Sequence, residues 1–488
     1  MFKLWSFTGG VHLDTHKQES ARSPLAAARL PKQLILPLQQ RGSHVAKALV
    51  EPGERVLKGQ VIARDRNPLN PPIHATTSGL VRAIEERPLP HPSCLPGPCI
   101  VIDVDGKDES APVDTPADYR TLSADDLRAR IHEAGIVGLG GAAFPTAVKV
   151  NPGERRRIDT LVLNGAECEP YITCDDSLLR HYPQDVLAGA QILLHILEAD
   201  RCLLGIEDDM PEAIAALQAA KAAGDFDRID IVPVPAIYPT GGEKQLIKVL
   251  TGREVPAGGI PADVGVVCQN VGTAMAIAKA VIDGEPLISR IVTVTGPGVR
   301  SPRNLLVRIG TPIAELVEQC GGYTAKAERL ILGGPMMGLA LPSDELPIIK
   351  SANCVLVAGA EEVVGEKRAM PCIRCGECAA ACPVNLLPQQ LYWYSRADNL
   401  ERAVEHHLAD CIECGCCDFV CPSHIPLVQY FRSAKGRVAA KQRERDKADH
   451  ARVRFESRQQ RKDREKQEKA ESARRKKEML EKVKEDHT

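Results

Sequence analysis

The sequence predicts a multidomain protein of mixed α/β and α+β class. Its 488 residues exceed what one hydrophobic core usually holds, because domains of about 100–200 residues are the norm. An apolar fraction of 44% and a charged fraction of 26% are typical of globular chains. The hydrophobic pattern changes several times along the chain, and two cysteine-rich runs follow near its end. These observations divide the sequence into five segments.

The first segment, residues 1–118, is predicted to be a β scaffold. Val50–Ile62 and Pro72–Ile84 alternate apolar and polar residues around Gly and Pro turn signals. The two stretches resemble the halves of a lipoyl- or biotinyl-type barrel-sandwich domain. Such carrier domains place a modifiable lysine between the halves, whereas this chain has RDRNPLNPP there. We therefore expect a barrel-sandwich-like scaffold rather than a swinging arm.

The second segment, residues 119–286, alternates helices and strands. Ser123–Gly135 is predicted to be a helix with Ser123 as its N-cap and Asp126 three residues later. Strands are predicted at Asp159–Asn164, Cys202–Ile206, Ile229–Val234 and Gly265–Cys268. Further helices are predicted at Ala188–Ala199, Pro211–Ala223, Gly242–Leu250 and Thr273–Ile282. This rhythm is typical of a mostly parallel sheet with helices on both faces.

The third segment, residues 287–345, changes character again. A strand is predicted at Arg290–Thr295, a helix from Thr311 to Cys320, and a second strand at Arg329–Leu332. This pattern resembles a soluble-ligand-binding β-grasp (SLBB-like) domain, which is a small scaffold.

The last two segments differ sharply in charge. Residues 346–435 hold the cysteine runs among short predicted helices. Residues 436–488 lack proline and are almost uniformly charged, which predicts either a solvated helix or a disordered tail. Residues 437–488 contain 19 Lys and Arg against 12 Asp and Glu, so the rest of the chain has a net charge of −9. A near-neutral total gives no basis for nucleic-acid binding.

The cysteine runs carry the strongest chemical signal. The first run has the spacing C-x2-C-x2-C-x3-C-P, and the same spacing recurs 39 residues later. Three thiolates from one tight loop, plus a fourth that ligates the other cluster, are typical of proteins with two [4Fe–4S] clusters. One predicted cluster is held by Cys372, Cys375, Cys378 and Cys421, and the other by Cys411, Cys414, Cys417 and Cys382.

Alternatives to this ligand assignment are weaker. Structural zinc sites generally use two C-x2-C pairs rather than triplets followed by C-P. Cys416 lies beside Cys417, but a register that used Cys416 would break the spacing shared by the two runs. We therefore expect a helical, ferredoxin-like module with two clusters, in which Cys416 is not a ligand.

A glycine-rich loop, GLGGAAFPT at residues 138–146, is the second informative stretch. Gly138, Gly140 and Ala143 satisfy the dinucleotide pattern G-x-G-x-x-A, but the loop follows a predicted helix instead of a strand, so the Rossmann context is absent. Consecutive glycines still allow backbone N–H groups to approach a phosphate, and Phe144 could stack on a planar ring. A tight turn between helices is the structural alternative.

An acidic stretch, NGAECEP, follows the strand predicted at Asp159–Asn164. It places Asn164, Glu167 and Glu169 near the carboxyl end of that strand, where α/β sheets bind ligands. An amide and two carboxylates there suit recognition of hydroxyl groups and ring nitrogens. A solvated loop without a ligand is the alternative.

Together these stretches resemble the NADH- and FMN-binding subunit of respiratory complex I and, more closely, the C subunit of the Rnf (Rsx) ion-translocating electron-transport complex. The resemblance covers residues 1–435 and rests on GLGGAxFPT, NGAECEPY, a GGE segment at 241–243, GGPMMG and the double ferredoxin motif, in this order. It implies that residues 119–286 form an α/β domain like the complex I flavoprotein. The residues it implies for binding FMN and NAD(H) are Gly138, Gly140, Gly141, Ala142, Phe144, Lys149, Asn164, Glu167, Glu169, Glu243, Asn270 and Thr273.

Two positions depart from the complex I pattern. Ala166 stands where that family has an acidic residue, and Leu139 replaces an arginine of its glycine loop. The Rnf pattern tolerates both residues.

The resemblance implies an oxidoreductase subunit of the translocase class. It would pass electrons between NAD(H), FMN and two [4Fe–4S] clusters, while other subunits of the complex couple electron flow to ion transport and a ferredoxin-type protein serves as electron partner. No catalytic side chain is expected, because the cofactors carry the chemistry. The implied location is peripheral, on the cytoplasmic face of the bacterial inner membrane, and no apolar run approaches the roughly 20 residues of a membrane span.

Two other functions remain open at this point. The chain could be a non-enzymatic iron–sulfur relay or scaffold that binds no nucleotide. It could also be the diaphorase-type subunit of an NAD-linked hydrogenase.

Overall fold

The computed structural model describes residues 2–40, 44–91, 93–115, 118–153, 156–362 and 368–485. The chain divides into two compact units. The first contains Met1–Pro388 and Asp410–Ile425, and the second contains Gln389–Ala409 and Pro426–Thr488. Among the described helices, none combines the length and the apolar composition that a membrane crossing requires.

The N-terminal part of the first unit contains two small antiparallel sheets. A short helix, α1 (Gln18–Ala21), and strand β1 (Ala26–Ala27) precede them. One sheet has the order β2-β8-β7-β4 and the other β3-β5-β6. Their strands are β2 (Gln33–Pro37), β3 (Lys47–Ala48), β4 (Arg55–Val56), β5 (Val61–Arg64), β6 (Ile73–His74), β7 (Gly79–Pro88) and β8 (Pro96–Val104).

Alternation along β7 explains how this part builds a core. Val81 is fully buried, whereas its neighbours Leu80 and Arg82 are exposed, as expected for a strand with one face on a core. Ile100 and Ile102 of the paired strand β8 are also fully buried.

A four-stranded parallel sheet with the order β11-β10-β9-β12 forms the next part. It comprises β9 (Thr160–Gly165), β10 (Arg201–Glu207), β11 (Ile229–Val234) and β12 (Val266–Asn270). Its helices are α2 (Ala124–Glu133), α3 (Thr146–Lys149), α4 (Cys174–His181), α5 (Pro183–Leu197), α6 (Pro211–Ala222), α7 (Glu243–Thr251) and α8 (Val271–Ile282), with 3-10 turns at Tyr119–Thr121 and Pro261–Val264.

Local sequence determines several features of this part. The predicted cap of α2 is confirmed, because Ser123 and Asp126 form a reciprocal capping box. Helices α5 and α8 pack closely at Gly189, where a Cβ would lie 1.9 Å from the carbonyl oxygen of Ala274, so only glycine fits. Strand β9 is buried along almost its whole length, as is typical of a central parallel strand covered on both faces.

A six-stranded mixed sheet with the order β1-β14-β13-β17-β15-β16 follows. It contains β13 (Ser289–Thr295), β14 (Arg303–Arg308), β15 (Arg329–Leu332), β16 (Leu339–Leu341) and β17 (Cys354–Ala358), with helix α9 (Ile313–Gln319). Strand β17 lies in the segment 346–435 that the sequence assigned to the cysteine module. It nevertheless pairs with both β13 and β15, so this sheet extends beyond residue 345. Its five buried residues fill the centre of the sheet.

The cysteine runs of the first unit surround two single-turn helices, α10 (Glu377–Ala380) and α13 (Cys416–Phe419). The second unit is helical. Its elements are α11 (Pro388–Arg396), α12 (Leu400–Glu405), a 3-10 turn at Leu408–Asp410, and α14 (Leu427–Glu485).

Helix α14 contains 59 residues and passes through Gly436 without a break. Arg437 pairs with Asp398 of the same unit. From Ala439 onward the described side chains are exposed, and pairs at i and i+4 such as Arg474–Glu478 support the helix. Of the two predictions for the tail, the structure therefore shows the helix.

Candidate functional site

The carboxyl ends of β9 and β12 lie side by side where the strand order of the parallel sheet reverses. Strand β9 comes first in the chain, β10 and β11 extend the sheet on one side, and β12 lies on the other. Asn164 on β9 and Asn270 at the end of β12 are register partners, and both are half-buried. Open α/β sheets bind ligands in the crevice formed at such a reversal. The sheet topology therefore indicates a candidate ligand position that the glycine loop alone did not establish.

The glycine loop is closed at its base by backbone hydrogen bonds. The Gly138 N–H donates to the Phe144 carbonyl at 2.8 Å, and the Thr146 N–H donates to the Ile136 carbonyl at 3.2 Å. Gly141 has a φ of 103° and a Cβ at that position would meet nothing within 4 Å. Gly140, Gly141 and Ala142 are all exposed, so the tip of the loop presents backbone to the outside.

Helix α8 fixes this loop over the end of β12. The Leu139 N–H donates to Thr273 Oγ1 at 2.9 Å, and Thr273 is fully buried. A Cβ on Gly140 would lie 3.4 Å from the Cβ of Asn270. Asn270 also caps α8, because its Oδ1 accepts the Gly272 N–H at 2.8 Å. The loop and the helix N-terminus thus meet at the strand reversal, an arrangement that suits a phosphate.

The GGE segment joins the same edge of the sheet. Asn164 Nδ2 donates to the Gly241 carbonyl at 2.8 Å, and its Oδ1 accepts the Ala166 N–H at 3.1 Å. Lys149 Nζ lies 2.5 Å from Glu243 Oε1, and both side chains are partly exposed. The structure therefore brings Lys149, Glu243 and Asn164 to the rim beside the glycine loop. Their contacts with nucleotide stay a prediction.

Glu167 binds backbone N–H groups at the start of a helix. Its carboxylate accepts the Asp175 N–H at 3.0 Å and the Asp176 N–H at 3.2 Å, so it binds the first turn of α4. Burial, followed by the nearby charge of Asp175, raises the pKa of Glu167 to about 8. This carboxyl group supports the fold next to the pocket.

Glu169 also binds backbone. Its carboxylate accepts the Met336 N–H at 3.1 Å and the Met337 N–H at 2.8 Å, within the GGPMMG loop. A Cβ on Gly334 would lie 2.2 Å from Glu169 Oε2, which accounts for glycine there. Burial raises the pKa of Glu169 to about 7. Two motifs that were independent in the sequence are therefore partners.

Asp175 and Arg290 were not predicted from the sequence. Asn270 Nδ2 donates to Asp175 Oδ2 at 2.6 Å, and Arg290 Nη2 donates to the Leu139 carbonyl at 3.3 Å. Arg290 is 4% exposed. The sequence did contain a signal for Arg290, because this arginine begins the apolar strand RIVTVT and a buried cation needs partners.

The two cysteine runs adopt the same backbone conformation. Arg374 and Glu413 have φ values of 58° and 59°, and Gly376 and Gly415 have values of 88° and 83°. These positions are 39 residues apart, like the cysteines themselves. The sequence repeat is thus also a structural repeat, with a left-handed turn at equivalent places in each loop.

The thiols of the second triplet lie near the fourth cysteine of the first run. Burial, then the charges of Asp418, Cys414, Cys411 and Cys382, raise the pKa of the Cys417 thiol. In the other pairing, the Met370 N–H donates to the Ser423 carbonyl at 2.9 Å, which joins the chain just before Cys372 to the chain just after Cys421. Both contacts support the crossed ligand sets.

Cys416 is fully buried in a small apolar cluster that includes Val11, Tyr238 and Ala381. A hydrogen bond with the Cys414 side chain, together with burial, raises the pKa of the Cys416 thiol. Cys414, which we assign as a ligand, lies in the same cluster, so burial does not distinguish the two cysteines. The exclusion of Cys416 stays a prediction from the spacing that the two runs share.

Four known protein families match parts of this chain. Residues 5–107 match the RnfC barrel sandwich hybrid domain, residues 131–279 the Nuo51 FMN-binding domain, residues 291–340 the SLBB domain, and residues 371–425 the 4Fe-4S dicluster domain. The predicted fold class is confirmed. The chain thus has an FMN-binding domain and a 4Fe–4S dicluster domain.

Curated relatives that are named as the C subunit of an ion-translocating oxidoreductase complex align along nearly the whole chain. The protein of Pectobacterium carotovorum is 48% identical over 459 residues, which are 94% of this chain and 61% of the relative. The protein of Erwinia tasmaniensis is 48% identical over 462 residues, which are 94% of this chain and 57% of the relative. The chain therefore spans about three-fifths of the length of these relatives.

Among solved structures, an NAD+-reducing [NiFe]-hydrogenase in the H2-reduced state aligns with a TM-score of 0.45 at 20% identity, covering 67% of each chain. The predicted resemblance to the Rnf C subunit is confirmed by the sequence relatives and by the RnfC domain match. We conclude that this chain belongs to the family of C subunits of ion-translocating oxidoreductase complexes.

Proposed function

We propose that this chain is the electron-input subunit of a membrane-bound Rnf-type complex. It passes electrons between NAD(H), FMN and two [4Fe–4S] clusters, and a ferredoxin-type protein serves as a further electron partner. The other subunits couple this flow to ion transport, and the chain lies peripherally on the cytoplasmic face of the bacterial inner membrane. The family membership supports the assembly, because the relatives are named as subunits of ion-translocating complexes.

One observation carries the redox part of the proposal. The loop between β11 and α7 contains both Gly241, which accepts a hydrogen bond from Asn164, and Tyr238, which donates a hydrogen bond to the Cys414 carbonyl at 2.6 Å. A single short loop therefore links the rim of the nucleotide pocket to a cysteine that we assign as a cluster ligand.

The pocket residues fit FMN. The exposed backbone of Gly140 and Gly141 and the N-terminus of α8 would hold its phosphate, while the amides of Asn164 and Asn270 offer donors and acceptors to its polar groups. Thr273 positions the loop through the Leu139 N–H. When bound, FMN supplies the exchange between two-electron and one-electron transfer.

NAD(H) would bind outside FMN at the partly exposed rim. Phe144 is half-buried and could stack on its ring, and the Lys149–Glu243 pair offers a cation for phosphate and a carboxylate for ribose hydroxyls. Glu167 and Glu169 act on the protein itself, by holding the start of α4 and the GGPMMG loop. In this proposal Lys149 and Glu243 contact nucleotide, whereas Glu167 and Glu169 do not.

The test uses the full chain, purified and reconstituted under anaerobic conditions. We expect absorbance at about 450 nm that bleaches with NADH, together with about eight irons per chain. Iron–sulfur absorbance without flavin, indifferent to NADH, would instead identify a non-enzymatic relay. Zinc, or clearly fewer irons, would refute the assignment of two clusters.

A matched pair of glycine variants separates the pocket from general folding. Gly141→Ala and Gly53→Ala both place a side chain at a positive φ, 103° and 90°, and in both cases the added Cβ meets nothing within 4 Å. Only Gly141 lies in the loop assigned to FMN. We expect Gly141→Ala to lose flavin while Gly53→Ala retains it, and equal retention would contradict the assignment.

A further inference from the structure

We propose that the six-stranded sheet takes part in flavin binding, through two buried cations that fix the base of the glycine loop. Arg290 of β13 holds the Leu139 carbonyl. Lys350, which precedes β17, holds the Gly135 carbonyl. We call this pair of cations the clamp, and both members are positioning residues. The inference rests on the proposed function, because it assumes that the glycine loop binds FMN.

The side chain of Lys350 holds the chain that leads into the loop. Lys350 is buried, and its Nζ donates to the Gly135 carbonyl at 2.8 Å. Helix α2 already ends in hydrogen bonds of its own backbone. The Gly135 N–H donates to the His132 carbonyl at 2.9 Å, and the Ile136 N–H donates to the Ile131 carbonyl at 3.2 Å. The Gly135 carbonyl lies beyond this cap, so Lys350 fixes the entry to the loop rather than the helix.

Arg290 holds the other end of the same segment. Its Nη2 donates to the Leu139 carbonyl at 3.3 Å, and its Nη1 donates to the Lys350 carbonyl. The two cations are thus bound to each other as well as to the loop. The nearby Asp175 carboxylate offsets part of the cost of burying the guanidinium. The clamp is therefore one connected network, and it reaches the loop at two points four residues apart.

Arg290 also sets the direction of the Gly140 N–H. The Leu139 carbonyl and the Gly140 N–H belong to one planar trans peptide, in which the C=O and N–H bonds point in opposite directions. Because the carbonyl is held against the buried guanidinium, the N–H faces away from β13. Gly140 is exposed, and within the described part of the chain its N–H has no acceptor. This N–H is therefore left to bind the phosphate of FMN.

Packing behind the loop is incomplete. Val137 and Ala143, which flank the glycines, line a cavity of about 60 Å³ together with Lys350 and His74. Atoms that face an empty cavity lack the van der Waals contacts that close packing provides. The position of the loop base therefore depends on hydrogen bonds more than on packing, and the clamp supplies two of them.

The burial of Lys350 costs free energy, and the contact with the loop is what it provides. Burial lowers the pKa of Lys350 to about 7. None of the described residues that line the cavity beside it is acidic, and in the described structure its ammonium donates to Gly135 alone. An apolar side chain would fill the same place without the cost of burying a charge. The contact with Gly135 is therefore the specific contribution of a lysine at this position.

Variants of Lys350 test the clamp in the full, cluster-reconstituted chain. The FMN dissociation constant is measured by quenching of flavin fluorescence, and the iron content reports on the rest of the fold. We expect Lys350→Met to weaken FMN binding by about tenfold or more at unchanged iron content, because it removes a charge-assisted hydrogen bond. Lys350→Arg keeps a cationic donor, and the adjacent cavity has room for the larger side chain, so this variant should recover most of the affinity.

Arg308→Met is the matched control. Arg308 lies on β14 of the same sheet and pairs with Asp108 at 2.9 Å, outside the glycine loop, so its loss should leave FMN affinity unchanged. The clamp is refuted if Lys350→Met binds FMN as tightly as the unmodified chain does, or if Lys350→Arg binds it as weakly as Lys350→Met. If the unmodified chain itself binds no FMN, the proposed function fails, which differs from a loss confined to the variants.

A measurement on the unmodified chain avoids dependence on how the variants fold. Amide hydrogen exchange, followed by mass spectrometry, compares the peptide that contains residues 138–144 with and without FMN. We expect FMN to slow exchange there, because it binds the Gly140 N–H, and unchanged exchange at saturating FMN would overturn the inference. The protection should shrink in Arg290→Lys, since an ammonium lacks the planar fork that holds two carbonyls. Full protection in Arg290→Lys would contradict the role of Arg290.

Discussion

The ion pairs of Lys17 are expected to hold the N-terminal segment, residues 5–22, against the rest of the fold. We call this segment the strap. Lys17 Nζ lies 2.8 Å from Glu207 Oε2 and 3.0 Å from Asp209 Oδ2. The Glu207 side chain is 1% exposed, and its other oxygen has no hydrogen-bond partner in the described structure. Burial disfavours the Lys17 ammonium, but Glu207 and Asp209 outweigh that effect and raise its pKa. Lys17→Met therefore leaves a buried carboxylate without its cation.

The expected cost follows from the geometry. Removing one partner of a buried ion pair typically costs about 3–5 kcal/mol, and we take the lower value, about 3 kcal/mol, because Asp209 is partly exposed and can be solvated. Since about 1.4 kcal/mol corresponds to a tenfold change, the strap should open on the order of 100-fold more often.

Amide hydrogen exchange measures this opening at Val11, whose N–H is bonded to the Tyr238 carbonyl at 2.9 Å. Burial raises the pKa of Glu207 even beside Lys17, so the unpaired carboxyl binds a proton at low pH. A group with a raised pKa in the fold loses stability as pH rises through that pKa, so the defect of Lys17→Met should be larger at alkaline pH than at acidic pH.

Two control variants test whether this result comes from the buried ion pair. Lys248→Met removes the partner of the largely exposed Glu254 and should leave exchange at Val11 unchanged. The double variant Lys17→Met with Glu207→Met should recover most of the protection, because an apolar pair replaces a buried ion pair well. Exchange at Val11 that rises less than about fivefold in Lys17→Met, well under the order of 100-fold worked out above, would refute the reasoning.

Three other predictions test the site and the long helix. Burial raises the pKa of Glu169 from 4.5 to about 7, so the unmodified chain should lose stability as the pH rises from 5 to 8. Relative to Glu169→Gln, the loss in free energy of unfolding should be up to about 3 kcal/mol, measured by urea unfolding. Parallel pH profiles of the two proteins would contradict this. Asn270→Ala should destabilise the flavin domain by about 1–2 kcal/mol, because it removes the cap of α8 and the donor to Asp175. Asn270→Asp keeps the cap oxygen and should restore only part of that stability, as measured by thermal unfolding. Deleting α14 from Gln442 onward should leave iron content and NADH bleaching intact, since those side chains are exposed, and a loss of either would show that the helix supports the redox domains.

Features with a local signal were predicted well from the sequence. The capping box of Ser123 and Asp126 depends on residues three positions apart, and the strand bounds at Ile229–Val234 and Arg329–Leu332 agree with the structure. The cysteine spacing likewise encodes its chemistry within twelve residues. The assignment of individual FMN and NAD(H) contacts stays a prediction.

Features that join distant segments could not be predicted in this way. Lys17 and Glu207 are 190 residues apart, and Glu169 and Met337 are 168 residues apart. In a sequence, two glutamates after a strand indicate a ligand site, because nothing local shows that backbone N–H groups from elsewhere will bind them. Strand β17 was missed for the same reason, since only its partners β13 and β15 distinguish it from a short apolar run.

The strap has a consequence for biosynthesis. Thr8 and Asn385, which are hydrogen-bonded, are separated by 377 residues, so a ribosome releases the strap long before its partners exist. Contacts of such high sequence separation form late in folding. The strap therefore reaches the chain beside Asn385 only after the first cysteine run has emerged, and iron delivered before then meets thiols of that run that the strap does not yet cover.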